Sequence, residues 1–407
     1  MTTPPILASD GAAVTRKASW SGVFALSLGA FALVASEFMP VSLLTSIASD
    51  LRVTEGQAGQ AIAVSGAFAV VTSLSISALA GRLDRKLLLL ALTMLMIASG
   101  TIAAFAPSYP VFMIGRAFIG VAIGGFWSLS AATAMRLVPT ADVPRALAIL
   151  NSGNALATVV AAPLGSFLGA IFGWRGAFFC LIPVAALALA WKAFSLPLMP
   201  AASRHGKANV FGLLKRLPVV LGMAAVSVFF MGQFALFTYL RPFLETVTHT
   251  SATTTSLILL VIGVAGFIGT VLIGPLLKNG LYRTLIVIPV IMAAVALALI
   301  ALGASTVMTA VLLAVWGLVG TSAPVGWWTW LAQTLPDDSE AGGGLMVAVV
   351  QLAIASGAAA GGFLFDGFGY QATFEVSALI LLVAALLAVA AAVVSARAFP
   401  PQQGKQG

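Results

Sequence analysis

Twelve acidic residues occur in the chain, and Glu37 alone falls deep inside a long apolar run; Asp366 and Glu375 sit near the ends of theirs. Arg116 is the matching base, within the run that begins near Pro110. A charge at such depth in lipid is costly, so it marks function by default. Read as helices, these runs place Glu37 roughly 13 Å and Arg116 roughly 9 Å from their outer ends. An arginine side chain spans that difference, so the two are expected to meet. Burial makes a carboxyl hold its proton more tightly, and a guanidinium beside it loosens the hold. If water access or the separation changes as the molecule moves, Glu37 takes a proton on one side and releases it on the other. A permanent ion pair, or direct contact of Glu37 with a solute, is the plainer reading. Pro40 removes a backbone donor one turn further on and frees the carbonyl of Ser36.

A second group of residues suits recognition of a small polar solute, which needs few polar groups in an aromatic cavity. Trp127 and Ser128, Asn151 and Asn154, Gln233 and Tyr239, Trp327 and Trp328, and Gln351 all interrupt apolar runs. Tyr239 lies toward an outer end, and Trp330 reads better as part of an interfacial belt. No G-x-x-x-x-G-K-[ST], H-E-x-x-H or G-x-S-x-G motif occurs, and His205 and His249 fall between runs. ATP-driven pumping and hydrolysis are therefore not expected, and neither an enzyme, a metal nor a cofactor is. Cys180 is the only cysteine and lies in an apolar run, where packing explains it.

The elements that position these residues follow from composition. The chain has 407 residues, 60% hydrophobic and 8% charged, with a mean hydropathy of +1.09. Soluble domains carry about 25% charge. A bilayer core about 30 Å thick needs roughly 20 apolar residues of helix. Twelve runs meet that need: 20–48, 56–80, 87–106, 110–137, 143–172, 176–195, 218–243, 252–277, 284–303, 305–335, 340–366 and 371–395. They are too long and too evenly apolar for barrel strands. With the N-terminus inside, sixteen of the twenty Lys and Arg face the cytoplasm, three (Arg52, Arg175, Arg241) face out, and Arg116 lies within a span. That bias puts both termini in the cytoplasm and explains the net charge of +8 without nucleic acid. The inside set includes Lys192.

The longest polar break, 197–217, separates a half at 20–196 from one at 218–396, with tails at 1–19 and 397–407. Gly165, Phe167, Leu168, Phe172, Gly173 and Phe178 recur as Gly361, Phe363, Leu364, Phe368, Gly369 and Phe374, always 196 residues later. GGFWS from Gly124 likewise resembles VGWWT from Val325. The expected fold is thus an all-α integral membrane protein of twelve transmembrane helices in two pseudo-symmetric six-helix halves, with a solute site near mid-membrane between them.

With EFMPVSLLTSIASDL in span one, RLDRKLLLL after span two, GRAFIGVAIGGFWSLSAATAMRLVP in span four and APLGSFLGAIFGWR in span five, the chain resembles the major facilitator superfamily along nearly its full length. The likeness is to the drug:proton antiporter branch. TYLRPF, PVGWWTW and VAVVQLA, in spans seven, ten and eleven, resemble exporters of purine ribonucleosides; exporters of arabinose-type sugars come next. The resemblance implies a monomeric, multi-pass carrier of a bacterial inner membrane that exchanges a small solute for protons. A passive channel and a transporter-like sensor are the non-carrier alternatives. It also implies that spans one and four line the cavity, which supports a meeting of Glu37 with Arg116.

Two family motifs are only partly kept. The loop after span two reads GRLDRK, so Asp84, Arg85 and Lys86 are present while a later glycine is missing; they are expected to latch across to a neighbouring helix. In span five, Pro163, Gly165 and Gly169 follow an alanine where the family has glycine. They are expected to bend the helix and let it pack closely.

Overall fold

The computed structural model describes residues 18–79, 83–139, 142–200, 210–335 and 339–398. Both expected tails, apart from residues 18–19 and 397–398, lie outside the described residues, as do Arg82, the segment 201–209 and residues 336–338. Among the described residues every regular element is a helix. These are α1 (Trp20–Leu51), α2 (Glu55–Leu79), α3 (Arg85–Ala104), α4 (Tyr109–Arg136), α5 (Val143–Ser195), α6 (Val210–Leu213), α7 (Leu217–Phe237), α8 (Leu240–Thr246), α9 (Ala252–Leu302), α10 (Thr306–Gly320), α11 (Ala323–Thr334) and α12 (Ser339–Ala398).

Helices α5, α9 and α12 hold 53, 51 and 60 residues. Straight helices of that length would reach about 75–90 Å, more than twice a bilayer core. Each is instead two arms joined at one non-helical glycine. Gly173 (φ 71°) and Gly369 (φ 82°) take a left-handed backbone that strains any residue with a Cβ. A Cβ at either would meet nothing within 4 Å, so the conformation rather than crowding calls for glycine. At Gly280 the backbone is extended (φ −178°). Helices α7 and α8 together make one crossing, as do α10 and α11. That pair is separated at Thr321 and Ser322, and Pro324 sits in the first turn of α11, where its missing N–H leaves no helical bond unmade. With α1 to α4 and the paired arms of α5, α9 and α12, the chain makes twelve crossings, as expected from the sequence.

Buried side chains sort by half. One core runs from Leu213 to Ala388 and takes only Val41 and Ile62 from the first half; the other two lie within the first half except for Met199, just past its end, and Tyr239. The principal contacts between halves pair α2 with α12 and α5 with α9. The outer surface is apolar, with Phe194 92% and Phe368 77% exposed, a surface suited to lipid tails.

Candidate functional site

Proline 40 sits inside α1 and has no N–H, so the carbonyl of Ser36 lacks its helical donor. No water is available in a bilayer core to satisfy it. Arg116, 1% exposed, fills the gap: Nη1 donates to the Ser36 carbonyl at 2.8 Å and Nη2 to the Glu37 carbonyl at 2.9 Å. Its Nε donates to the Ala61 carbonyl at 3.2 Å and Nη2 also to Ser65 Oγ at 3.2 Å, tying α4 to α1 and α2. The expected meeting therefore occurs, but against the backbone. The Glu37 carboxylate and the guanidinium form no ion pair here, because the kink's carbonyls use the guanidinium's donors.

The carboxylate has a different partner. Gln351 of α12, 7% exposed, donates from Nε2 to Glu37 Oε1 at 3.1 Å, joining a residue expected to carry protons to one expected to bind solute. The approach depends on Gly66 of α2. A Cβ there would lie 2.8 Å from Ala355 Cβ and 2.9 Å from the Gln351 carbonyl. Next to Glu37, Phe38 stacks on Phe234 of α7 with ring centroids 5.5 Å apart, a second contact between halves. These two phenylalanines are 196 residues apart, and so are Glu37 and Gln233. The repeat register thus pairs the buried acid with an uncharged amide, whose Oε1 is buried without a hydrogen-bond partner. Leu236 stands where the first half has Pro40, so its N–H remains for the carbonyl of Gly232, the counterpart of Ser36, and no arginine is needed there.

The other expected solute contacts are scattered. Trp127 is half-buried and edge-on to Phe126; Ser128 and Asn151 are exposed and bond back to the carbonyls of Gly124 and Leu147; Asn154 is half-buried. Trp327 is 3% exposed and packs edge-on to Trp330, while Trp328 is 47% exposed. Trp330 is no belt residue. It is buried against Gly222, where a Cβ would run into its ring.

Tyr239 is corrected as well. Fully buried, its hydroxyl donates to the Ala358 carbonyl at 2.8 Å and lies 3.4 Å from that of Gly56, so it seals the halves together rather than facing a cavity. Asp366 reaches across from α12, taking a hydrogen bond from Thr54 Oγ1 and one from the Gly56 N–H at 2.9 Å. It thereby caps the start of α2 from the opposite half. Arg241, read from sequence as an outer-loop base, is buried and donates to the Ser42 carbonyl. Hydrogen bonds between halves thus concentrate at the end where α1 finishes and α2 begins. A Cβ at Gly56 would strike both Asp366 and the Gly362 carbonyl. Gly56→Val should hold this end apart. Spin labels at Arg52 and Gly367, with Cys180 replaced by serine, should show the inter-label distance lengthen by several ångströms. An unchanged distance distribution would sink this assignment.

Among the described residues Asp84, Arg85 and Lys86 form no ion pair between helices: Asp84 caps its own helix, accepting from the Lys86 N–H at 2.8 Å, while the Arg85 N–H donates to the Met199 carbonyl. Gly165 and Gly169 face Ser42 and Leu43, where a Cβ on either would collide, so they serve the close packing of α5 on α1. Pro163 lies inside the same arm. Lys192, expected at the cytoplasmic surface, is 1% exposed.

A family profile described as Major Facilitator Superfamily matches residues 26–345. Transcription regulatory protein OpdE of Pseudomonas aeruginosa is 63% identical over 378 residues, 92% of this chain and 94% of its own. The purine ribonucleoside efflux pump NepI of Salmonella enteritidis is 40% identical over 382 residues, 94% of this chain and 96% of its own. Among solved structures, the nucleoside transporter NupG superposes with a TM-score of 0.76 at 13% identity, covering 91% of this chain and 98% of its own. A D-xylose-proton symporter superposes with a TM-score of 0.74 at 17% identity, covering 91% and 97%.

Proposed function

Because this chain belongs to the major facilitator superfamily, we propose that it exports purine ribonucleosides such as inosine and guanosine in exchange for protons, by alternating access. It is a multi-pass membrane transporter and not an enzyme. The observation that carries the finer reading is the bond between Glu37 of one half and Gln351 of the other. A titratable group held by the opposite half feels every relative motion of the two. That contact exists while the α1–α2 end is sealed. With both termini in the cytoplasm, the sealed end faces outward and solute enters from inside, the loading state of an exporter. The named relative at 40% identity favours a purine ribonucleoside over a sugar. A base offers a flat face for Trp328 or the Phe38–Phe234 pair and ring edges for the amides of Gln233 and Gln351. Losing one hydrogen bond of a buried group costs roughly 1–3 kcal/mol, so Gln351→Ala should weaken inosine affinity roughly five- to hundredfold.

Everted vesicles acidified inside should accumulate inosine, a protonophore should abolish the uptake, and overproducing cells should resist toxic purine nucleoside analogues. Uptake that follows sodium instead, or pH-driven flux of arabinose without inosine, overturns the respective part. A second reading has support from the relative at 63% identity, whose name is that of a transcription regulator. In that case the same site senses a solute. Inosine binding with neither counterflow nor net flux would decide for it.

A further inference from the structure

Lysine 192 stands three residues from the end of α5, where a lysine ordinarily extends its ammonium into the nearby water. Here it turns inward. Its Nζ donates to Thr93 Oγ1 at 3.0 Å and lies 5.0 Å from the centroid of the Phe126 ring. Gly29 of α1 leaves the space it occupies, since a Cβ there would collide with Nζ. Around it α1 presents Gly29 and Leu33, α3 presents Thr93 with Leu92 and Met96, and α4 presents Phe126. None of these titrates, and no ion pair to Lys192 occurs among the described residues.

One cavity adjoins it, and a second lies beyond Met96. The first, about 10 Å³, is lined by Lys192 and these neighbours, giving room for about one water. The second, of similar size, is lined by Ser36, Gly100 and Ile182 among others, and Met96 forms part of both walls. Past the Met96 side chain that separates them, the second cavity reaches Ser36, whose carbonyl is held by Arg116 and whose neighbour is Glu37.

We propose that Lys192 is a second proton-binding group of the carrier, joined to the Glu37 region through these two cavities. This rests on the proton-coupled reading above. In the step, one N–H bond of the ammonium breaks, the proton passes to water in the adjoining cavity, and the electron pair remains on Nζ; the reverse reloads it. The site serves both forms. The neutral amine keeps an N–H for Thr93, whose own hydroxyl proton is committed to the Leu89 carbonyl at 2.6 Å. The charged form gains the Phe126 ring face.

Stoichiometry tests it. Proteoliposomes with the membrane potential clamped at zero are given a pH difference of about one unit, worth about tenfold in solute gradient per coupled proton. Two proton sites predict a wild-type steady inosine gradient of about a hundredfold. Lys192→Met and Lys192→Arg should each fall to about tenfold while keeping counterflow, because a guanidinium does not release its proton. A wild-type gradient of about tenfold overturns the second site and leaves proton coupling standing, whatever the variants do. Variants that hold the hundredfold gradient overturn it equally. A wild-type gradient of about one, with counterflow intact, removes proton coupling itself.

Discussion

Glu37→Gln should abolish pH-driven accumulation, because Lys192 exchanges its proton only by way of the Glu37 region, and should leave exchange of labelled for unlabelled solute running. The amide is nearly isosteric with the carboxyl, and its oxygen can still accept the hydrogen bond that Gln351 now gives to Glu37 Oε1. The contact between halves therefore survives while the proton site is lost. Accumulation in everted vesicles acidified inside should drop to the level of vesicles without the protein, and counterflow should stay within a few-fold of wild type. Glu37→Ala separates the two roles, since it removes the acceptor as well and should slow counterflow too. Normal uphill transport by Glu37→Gln would mean that another group carries the driving proton.

Arg116→Leu should be the most destabilising single change in the first half. The substitution leaves the Ser36 carbonyl, whose helical donor Pro40 removes, with no donor at a depth where water does not replace it, and takes a second donor from the carbonyls of Glu37 and Ala61. An unsatisfied buried group costs roughly 1–3 kcal/mol, and the lost second hydrogen bonds add to it. That is a sizeable fraction of the roughly 5–15 kcal/mol that holds a typical domain folded. Thermal unfolding in detergent should show it as a large drop in midpoint, and Arg116→Lys, whose compact ammonium lacks the planar fork that spans these carbonyls, should recover only part. The double variant with Glu37→Gln discriminates between causes. If Arg116 mattered chiefly as a counter-ion, removing both charges would restore stability. The carbonyl contacts predict no rescue.

The crossings were legible because lipid imposes one ruler on every helix, and the short gaps between runs 143–172 and 176–195 and between 340–366 and 371–395 contain the glycines at which the chain reverses. Glu37 and Arg116 were legible for the same reason: a charge has few excuses at that depth. Their geometry was not. Sequence showed that Pro40 frees the Ser36 carbonyl, yet only the packing of α4 on α1 assigned that carbonyl to Arg116 instead of leaving the guanidinium for the carboxylate. Tyr239 and Trp330 look alike in sequence to cavity or belt aromatics; Gly56, Gly59 and Gly362 around one and Gly222 under the other determine that both are buried. Lys192 misled because charge counting assumes that a lysine near a helix end faces water. One signal was present and unread. Extending the repeat register to α1 and α7 aligns Glu37 with Gln233 and Phe38 with Phe234, which marks the inter-half contact without coordinates.

The glycine reversals bear on how the chain enters a membrane. Phe172-Gly173-Trp174 and Phe368-Gly369-Tyr370 turn two crossings back to back with no polar loop between them. Insertion of either pair therefore carries almost no hydrated backbone to the far side, and the two arms can leave the insertion machinery together as a preformed helical hairpin. Arg175 is the exception just beyond the first turn, and it is met there by the carboxylate of Asp50 and the carbonyl of Ala106. Those partners belong to segments synthesised earlier. The charge thus finds its neutralising group already in place when the hairpin arrives, and assembly in chain order costs the first half little.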